Sequence, residues 1–211
     1  MDPSFWHQRW ENNEIAFHES KANPLLVEHF HELGLAKGSR IFVPLCGKTL
    51  DISWLRSHGY RVAGAELSQR AIEQLFLGLG EQPAISAIGQ VEQWSAPHLD
   101  VFVGDIFVLS GEMLGPVDAV YDRAALVAFP AEMRHRYTAH LMEMTGKAPQ
   151  LLICYEYDQR VMDGPPFSVN NEEVARHYAA HHDVTLLAST EVSGGLKGKC
   201  PAKENVWLLD R

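Results

Sequence analysis

Charged side chains in this sequence follow several short apolar stretches, at the positions where strands would end. They are Glu66, Asp105, Asp122 and Arg123. In an α/β sheet the carboxyl ends of the parallel strands meet at one edge, and ligands bind at that edge. Carboxylates can accept hydrogen bonds from hydroxyl and amino groups there. The pattern therefore predicts a ligand site built from residues that directly follow strands.

The turn after the first apolar stretch, at residues 46–49, reads Cys-Gly-Lys-Thr and resembles the end of a phosphate-binding P-loop. That motif also requires a glycine five positions before Gly47, where this chain has Phe42. The G-x-G-x-x-G pattern of dinucleotide-binding folds is absent as well. Nucleoside triphosphatases and NAD or FAD enzymes are therefore not favoured.

The distance between Gly47 and Glu66 suits a nucleoside without phosphates. Glu66 lies nineteen residues after Gly47, and a carboxylate at that place can accept both hydroxyls of a ribose. Asp105 and Ile106 would then hold the adenine, with the carboxylate on the amino group and the aliphatic side chain against the ring. These features favour S-adenosylmethionine as the cofactor.

Aromatic side chains are concentrated at the start of the chain, at Phe5, Trp6, Trp10 and Phe17. Trp6 and Trp10 are four residues apart and would share one face of a helix. That helix either docks onto the core or forms an aromatic lid over a sulfonium cation, which a Trp face attracts. The two interpretations are compatible.

Apolar runs alternate with helical periodicities along the chain, which predicts a doubly wound, mostly parallel α/β sheet. The expected strands are 41–45, 61–67, 101–103, 117–121 and 151–155, closed by an antiparallel pair at 184–187 and 206–209. The expected helices cover about 25–33, 50–58 and 69–79, and two more begin at Pro130 and near Asn171.

Composition limits the class of protein. The chain has 211 residues with 18 Lys+Arg against 27 Asp+Glu, a net charge of −9. This length suits a single domain over residues 1–211, with about 1–35 as an N-terminal helical lid segment. The negative charge disfavours nucleic-acid and anionic-membrane partners. With no apolar run of membrane-spanning length and three separated cysteines, we expect a cytoplasmic protein with reduced thiols.

The eleven histidines do not form a metal-binding pattern. His177, His181 and His182 lie close in sequence, but no H-E-x-x-H motif or Cys/His cluster accompanies them. We expect a solvated helix face there and no metal site. The G-x-S-x-G motif of serine hydrolases is absent too.

Four strings of residues resemble the thiopurine S-methyltransferases, in the style of their bacterial branch. They are 6–10 with Phe17-His18, 42–48 (F-V-P-L-C-G-K) followed by Glu66, 121–128 (Y-D-R-A-A-L-V-A) and 164–169 (G-P-P-F-S-V). The resemblance extends from about Trp6 to Leu209. It implies a class I S-adenosylmethionine-dependent methyltransferase fold with a seven-stranded, Rossmann-like sheet, and it favours a monomer.

The resemblance also implies which residues form the site. The cofactor site would be lined by Trp10, Leu45, Glu66, Asp105, Ile106 and Arg123. The acceptor pocket would be bordered by Phe17 and Arg123, with Pro166 and Phe167 shaping a nearby wall. Lys197 or Lys199 would replace an arginine with which animal members of the family contact the substrate.

The expected reaction is S-methylation of small aromatic or heterocyclic thiols. Such a thiol is acidic enough to attack largely as its anion, so no dedicated general base is expected, and Arg123 would stabilise the anionic acceptor. Two alternatives remain open: the same fold methylating selenium or tellurium oxyanions or another small metabolite, and a non-catalytic nucleoside-binding protein.

Overall fold

A computed structural model describes residues 3–15 and 19–211 of the chain. Within them, nine strands form one continuous sheet. In chain order the strands are β1 (Arg40–Pro44), β2 (Arg61–Glu66), β3 (Ala84–Ile88), β4 (Val91–Ala96), β5 (Leu99–Val103), β6 (Ala119–Arg123), β7 (Gln150–Tyr157), β8 (Asp183–Glu191) and β9 (Ala202–Asp210). The α-helices are α1 (Pro3–Glu11), α2 (Pro24–His29), α3 (Asp51–Ser57), α4 (Gln69–Leu79), α5 (Gly111–Leu114), α6 (Ala131–Met144) and α7 (Asn171–Tyr178).

The order of strands across the sheet is β3-β4-β5-β2-β1-β6-β7-β9-β8. The five strands from β5 to β7 are parallel, and β9 and β8 complete that side as an antiparallel pair. These seven strands match the expected doubly wound sheet. The expected number of strands is too low, because the hairpin β3–β4 adds two antiparallel strands at the β5 edge.

The sequence does not predict this hairpin, because β3 is an edge strand that buries few side chains and therefore lacks the pattern of a buried strand. All five residues of β3 are exposed or only partly buried, so no alternation of apolar and polar residues marks it.

Two layers of helices cover the sheet. Side chains of α5, α6 and α7 pack on one face with Phe42, Val120 and Leu152. Side chains of α2, α3 and α4 pack on the other face with Ile41 and Val43. Alternate residues of β1 thus enter opposite cores, as expected for a strand that is covered on both sides.

The chain reverses its direction of travel across the sheet between β1 and β6, which are neighbours but far apart in sequence. Successive parallel strands run outward from β1 to β2 and β5, and then from β6 to β7. This is the switch point of a doubly wound sheet, and a crevice opens at the carboxyl ends of the strands there. The expected site residues Leu45 and Arg123 lie at this point.

Candidate active site

The turn after β1 brings the chain sharply over the carboxyl edge of the sheet. Leu45 has a positive φ of 48°, and Gly47 follows with a φ of 51°. Ala124, directly after β6, also has a positive φ, of 67°. Residues other than glycine rarely adopt this conformation, and where they do they cluster at functional sites. Each of the two strands at the switch point is therefore followed directly by such a residue.

Glu66 joins the end of β2 to this turn. Its Oε2 accepts a hydrogen bond of 2.8 Å from the backbone N–H of Gly47, and its Oε1 accepts one of 2.8 Å from the N–H of Ser68. The side chain is buried, and this burial raises the pKa of the Glu66 carboxyl. Two backbone bonds leave part of the acceptor capacity of the carboxylate unused, so it can still accept hydroxyl groups of a ligand.

The connection from β2 to α4 is short, and a helix cap fixes it. Ser68 accepts a hydrogen bond of 3.3 Å on its Oγ from the N–H of Ala71, which satisfies one of the free donors at the start of α4. The same serine donates its backbone N–H to Glu66. The cap therefore also positions the carboxylate.

Trp10 packs against the turn after β1. It is 3% exposed, and a Cβ placed on Gly47 would come within 3.0 Å of its Cζ2. The positive φ and this close contact both favour glycine at position 47. The N-terminal helix α1 thus docks onto the core at the carboxyl edge of the sheet through Trp10.

A cavity of about 450 Å³ lies between α1 and the ends of β2 and β5. Its walls include His7, Glu11, Leu67, Ser68, Val103 and Gly104. Its volume falls within the usual range for pockets that bind small molecules. Leu67 directly follows Glu66 and Gly104 directly precedes Asp105, so two expected cofactor residues are chain neighbours of the cavity wall.

Asp105 and Ile106 follow β5 with different degrees of burial. The Asp105 side chain is exposed and its Oδ1 accepts a hydrogen bond of 3.0 Å from the Phe107 N–H, which caps a short 3-10 helix over Ile106–Val108. Ile106 is 6% exposed. Both residues directly follow β5 at the carboxyl edge of the sheet, and their contacts with the adenine stay a prediction.

Arg123 ends β6, and its guanidinium forms an ion pair with Glu19. The Arg123 side chain is 11% exposed and that of Glu19 is 36% exposed. Burial alone would lower the pKa of Arg123, but Tyr155, Glu19, Tyr121 and Asp51 together raise it. The guanidinium therefore stays charged.

A buried hydrogen-bond network extends from this pair into the core. Asp51, at the start of α3, accepts the Asn23 backbone N–H at 2.7 Å on Oδ1 and the Tyr121 hydroxyl at 3.0 Å on Oδ2. Asn23 in turn lies 3.5 Å from both carboxylate oxygens of Glu19 through its Nδ2. Sequence reasoning missed Glu19, Asn23 and Asp51, since no local motif links Asn23 to Asp51 or Glu19 to Arg123, which lie 28 and 104 residues apart.

Two further loops meet beside the end of the sheet. The Phe167 N–H donates to the Val127 carbonyl at 2.7 Å, and the Tyr157 hydroxyl donates to the Pro166 carbonyl at 2.6 Å. The Lys197 Nζ donates to the Pro165 carbonyl at 2.7 Å. Lys197 thus ties the loop at 194–200 to the segment that carries Pro166 and Phe167. The predicted acceptor residue Phe17 lies outside the described residues.

Asp122, which has the same position at a strand end, is not part of the edge. It is fully buried, accepts the Tyr137 hydroxyl at 2.7 Å and the Leu126 N–H at 3.1 Å, and its burial raises its pKa to about 6. Its side chain joins β6 to α6 inside the core.

The expectation of a solvated histidine face on the last helix is wrong for two of the three residues. The His177 side chain is 5% exposed and contacts Glu173, while His182 is buried and contacts the Ala148 carbonyl. His181 alone is exposed. His177 lies on α7 and contacts Thr138 of α6, whereas His182 follows the helix and packs against the segment before β7 at Ala148.

Within residues 3–15 and 19–211, no group of three or more His, Cys, Asp or Glu side chains could hold a metal ion. No helix among these residues has the length and apolar character needed to cross a bilayer. Cys46, Cys154 and Cys200 are buried free thiols.

Known structures identify the class of this fold. A 1,6-didemethyltoxoflavin-N1-methyltransferase of Burkholderia thailandensis, solved with S-adenosylhomocysteine, has a TM-score of 0.66 at 15% identity, covering 99% of this chain and 87% of the other. The expected class I S-adenosylmethionine-dependent methyltransferase fold is confirmed.

Sequence comparison is more specific. The family model of thiopurine S-methyltransferase (TPMT) matches residues 1–211. Thiopurine S-methyltransferases of Xanthobacter autotrophicus and Teredinibacter turnerae are 56% and 47% identical to the chain, covering all of it and 100% and 98% of their own lengths. The chain belongs to the thiopurine S-methyltransferase family, as its motifs predict, and it is a methyltransferase.

Proposed function

We propose that this protein transfers a methyl group from S-adenosylmethionine to the sulfur of small aromatic or heterocyclic thiols. The observation that carries the proposal is the arrangement at the switch point. Gly47, in the turn after β1, contacts both Trp10 and Glu66. Arg123 lies at the end of the adjacent strand β6. Family membership over the full chain supports the same reaction.

The residues at the edge fit the cofactor. Glu66 keeps acceptor capacity for the ribose hydroxyls, and Leu45 and Trp10 border the turn where the cofactor's methionine part would lie. Asp105 and Ile106 would hold the adenine, next to the cavity wall at Gly104. When bound, S-adenosylmethionine supplies a methyl group on a positively charged sulfur.

The chain contributes alignment, exclusion of water and charge. In the overall reaction a carbon–sulfur bond to the acceptor forms, the bond to the sulfonium sulfur breaks, and the thiol proton goes to solvent. Arg123 stabilises the sulfur anion that is left when this proton leaves. Phe17, Pro166 and Phe167 would shape the acceptor pocket, and Lys197 holds the loop behind Pro166.

A radiolabelled S-adenosylmethionine assay against an acceptor panel tests the proposal. The panel contains a thiopurine, a neutral aromatic thiol, selenite and tellurite. We expect methyl transfer to the thiols. Transfer to the oxyanions alone would favour metalloid chemistry, and binding of S-adenosylhomocysteine with no transfer to any acceptor would indicate a nucleoside-binding protein. Either outcome would overturn the thiol assignment.

We further propose that the chain is a single domain and a cytoplasmic monomer, with about 1–35 acting as a lid on the site. In the described part of the chain the exposed large apolar side chains belong to six different segments, which does not favour one apolar contact face. The three buried free thiols fit a reducing compartment. Light scattering coupled to size-exclusion chromatography tests the monomer, with a mass near 23.6 kDa expected.

A further inference from the structure

The counter-ion of Arg123 suggests a specificity-determining residue. We propose that Glu19 makes the acceptor site select against thiols that carry an additional permanent negative charge, because its carboxylate already neutralises the Arg123 guanidinium. This inference rests on the proposed function, in which Arg123 faces the acceptor.

The pair is well placed for this role. Arg123 lies at the carboxyl end of β6, at the switch point where ligands of such sheets bind, and its side chain is 11% exposed. Glu19 contacts the guanidinium from the segment between α1 and α2 and is 36% exposed. An acceptor that approaches Arg123 therefore meets a charged group already paired with a carboxylate.

The surroundings of the pair are acidic. Two more carboxylates, Asp51 and Glu204, influence Glu19 electrostatically. Burial and these two acids raise the pKa of Glu19, whereas Arg123 and the Asn23 side chain lower it. Asp51 accepts two hydrogen bonds, from Asn23 and Tyr121, but both donors are neutral. The positive charge of Arg123 is thus faced by two carboxylates, Glu19 and Asp51, and Glu204 adds a further negative charge near Glu19.

This balance has a consequence for acceptors. An aromatic thiol without a carboxylate brings only the charge of its sulfur, which Arg123 stabilises while it remains paired with Glu19. An acceptor with its own carboxylate must either displace Glu19 from Arg123 or remain beside Glu19 and Asp51 in a partly buried site, where like charges repel strongly. The arrangement therefore favours neutral aromatic thiols over their carboxylate analogues.

The test compares two acceptors that differ in one charge, 4-mercaptobenzamide and 4-mercaptobenzoate. In the Glu19→Gln variant the amide side chain can still accept a hydrogen bond from Arg123 but carries no charge. We expect the ratio of kcat/KM for the benzoate over that for the benzamide to rise about tenfold, a figure reduced for the partial exposure of Glu19. Binding of benzoate itself, measured by calorimetry with S-adenosylhomocysteine present, should tighten, and binding of benzamide should not.

A matched control is available at the other end of the sheet. Glu81 pairs with Arg56 at 2.8 Å with similar exposures of 30% and 16%, so Glu81→Gln removes the same charge away from the site and should leave the ratio unchanged. The double variant with Glu19→Gln and Arg123→Gln should lose the gain, because the gain requires the positive charge of the guanidinium. If Glu19→Gln does not fold, Glu19→Asp provides a weakened pair and an intermediate ratio is expected.

The outcomes separate this inference from the proposed function. If the wild type methylates 4-mercaptobenzamide but Glu19→Gln leaves both the kcat/KM ratio and benzoate binding unchanged, Glu19 does not select acceptors and the inference fails. If Glu19→Gln lowers kcat equally for both acceptors, Glu19 acts in the chemical step and the inference also fails. If the wild type methylates no thiol, the proposed function itself is wrong.

Discussion

The Oε2 of Glu66 accepts a hydrogen bond of 2.8 Å from the backbone N–H of Gly47, which joins the end of β2 to the turn after β1. The bond connects the carboxyl ends of two neighbouring strands, β1 and β2, and fixes the carboxylate at the edge of the sheet. Because the same turn supports Trp10, one contact organises the cofactor side of the site.

Glu66→Ala should weaken binding of S-adenosylhomocysteine by about 1–3 kcal/mol, the range for a lost polar partner. The substitution also leaves the N–H groups of Gly47 and Ser68 without their acceptor, so unfolding by urea should show a loss of stability in the same range. Isothermal titration calorimetry measures the affinity. Glu73→Ala, on the exposed face of α4, removes the same charge without touching the site and should bind normally. Unchanged affinity in Glu66→Ala would exclude the ribose contact.

Gly47→Ala should disturb Trp10. Its Cβ would lie 3.0 Å from the indole at a backbone φ of 51°, so the variant combines a strained conformation with a steric clash. Gly34→Ala has similar strain, at a φ of 61°, but nothing lies within 4 Å of the new Cβ. Gly34→Ala should lose about 1 kcal/mol of unfolding free energy through the backbone strain, and Gly47→Ala should lose more because of its added contact with Trp10. Calorimetry should show a loss of affinity for S-adenosylhomocysteine in Gly47→Ala only. Equal affinities in the two variants would contradict a role of the contact between Gly47 and Trp10 in the site.

Arg123→Lys keeps the charge and loses the planar fork of donors. We expect kcat/KM for a neutral aromatic thiol to fall about tenfold or more, because a lysine cannot hold Glu19 and the acceptor sulfur in the same geometry. Arg56→Lys makes the same exchange in the pair with Glu81 and should retain wild-type kinetics. A kcat/KM equal to that of the wild type in Arg123→Lys would remove Arg123 from the acceptor site.

Asp122 should make stability depend on pH. Its folded-state pKa of about 6 lies above the ordinary value of 3.8, so the folded state binds the proton more tightly. The stability it contributes is full below about pH 4 and is lost as the pH rises through about 6, by about 3 kcal/mol in total. Urea unfolding between pH 4 and 7.5 measures the unfolding free energy of the wild type and of Asp122→Asn. The Asp122→Asn variant should not lose this stability as the pH rises.

A second variant tests the origin of the Asp122 effect. The Tyr137 hydroxyl donates a hydrogen bond of 2.7 Å to Asp122 and lowers its pKa. Tyr137→Phe should therefore shift the fall in stability to higher pH. If the unfolding free energies of the wild type and both variants change with pH in the same way, Asp122 does not titrate between pH 4 and 7.5.

The sequence by itself determined the class of fold and the line of residues at the edge of the sheet. Apolar runs that alternate with helical periodicity can pack only as a covered, mostly parallel sheet, and residues that follow its strands must meet at one edge. Gly47, Glu66 and Asp105 were found in this way, because their positions depend on local pattern and chain direction, whereas the role of Arg123 was predicted from the family resemblance.

The tertiary structure decided which of these residues face the site and what they contact. Asp122 and Arg123 are neighbours in sequence, yet Asp122 enters the core beside Tyr137 whereas Arg123 meets Glu19, which lies 104 residues away in the chain. Alternate residues of a strand point to opposite faces, so the packing of the helices on each face sets their partners. The two buried histidines of the α7 region and the hairpin β3–β4 were likewise fixed by packing, since burial depends on what lies opposite a residue and not on its neighbours in sequence.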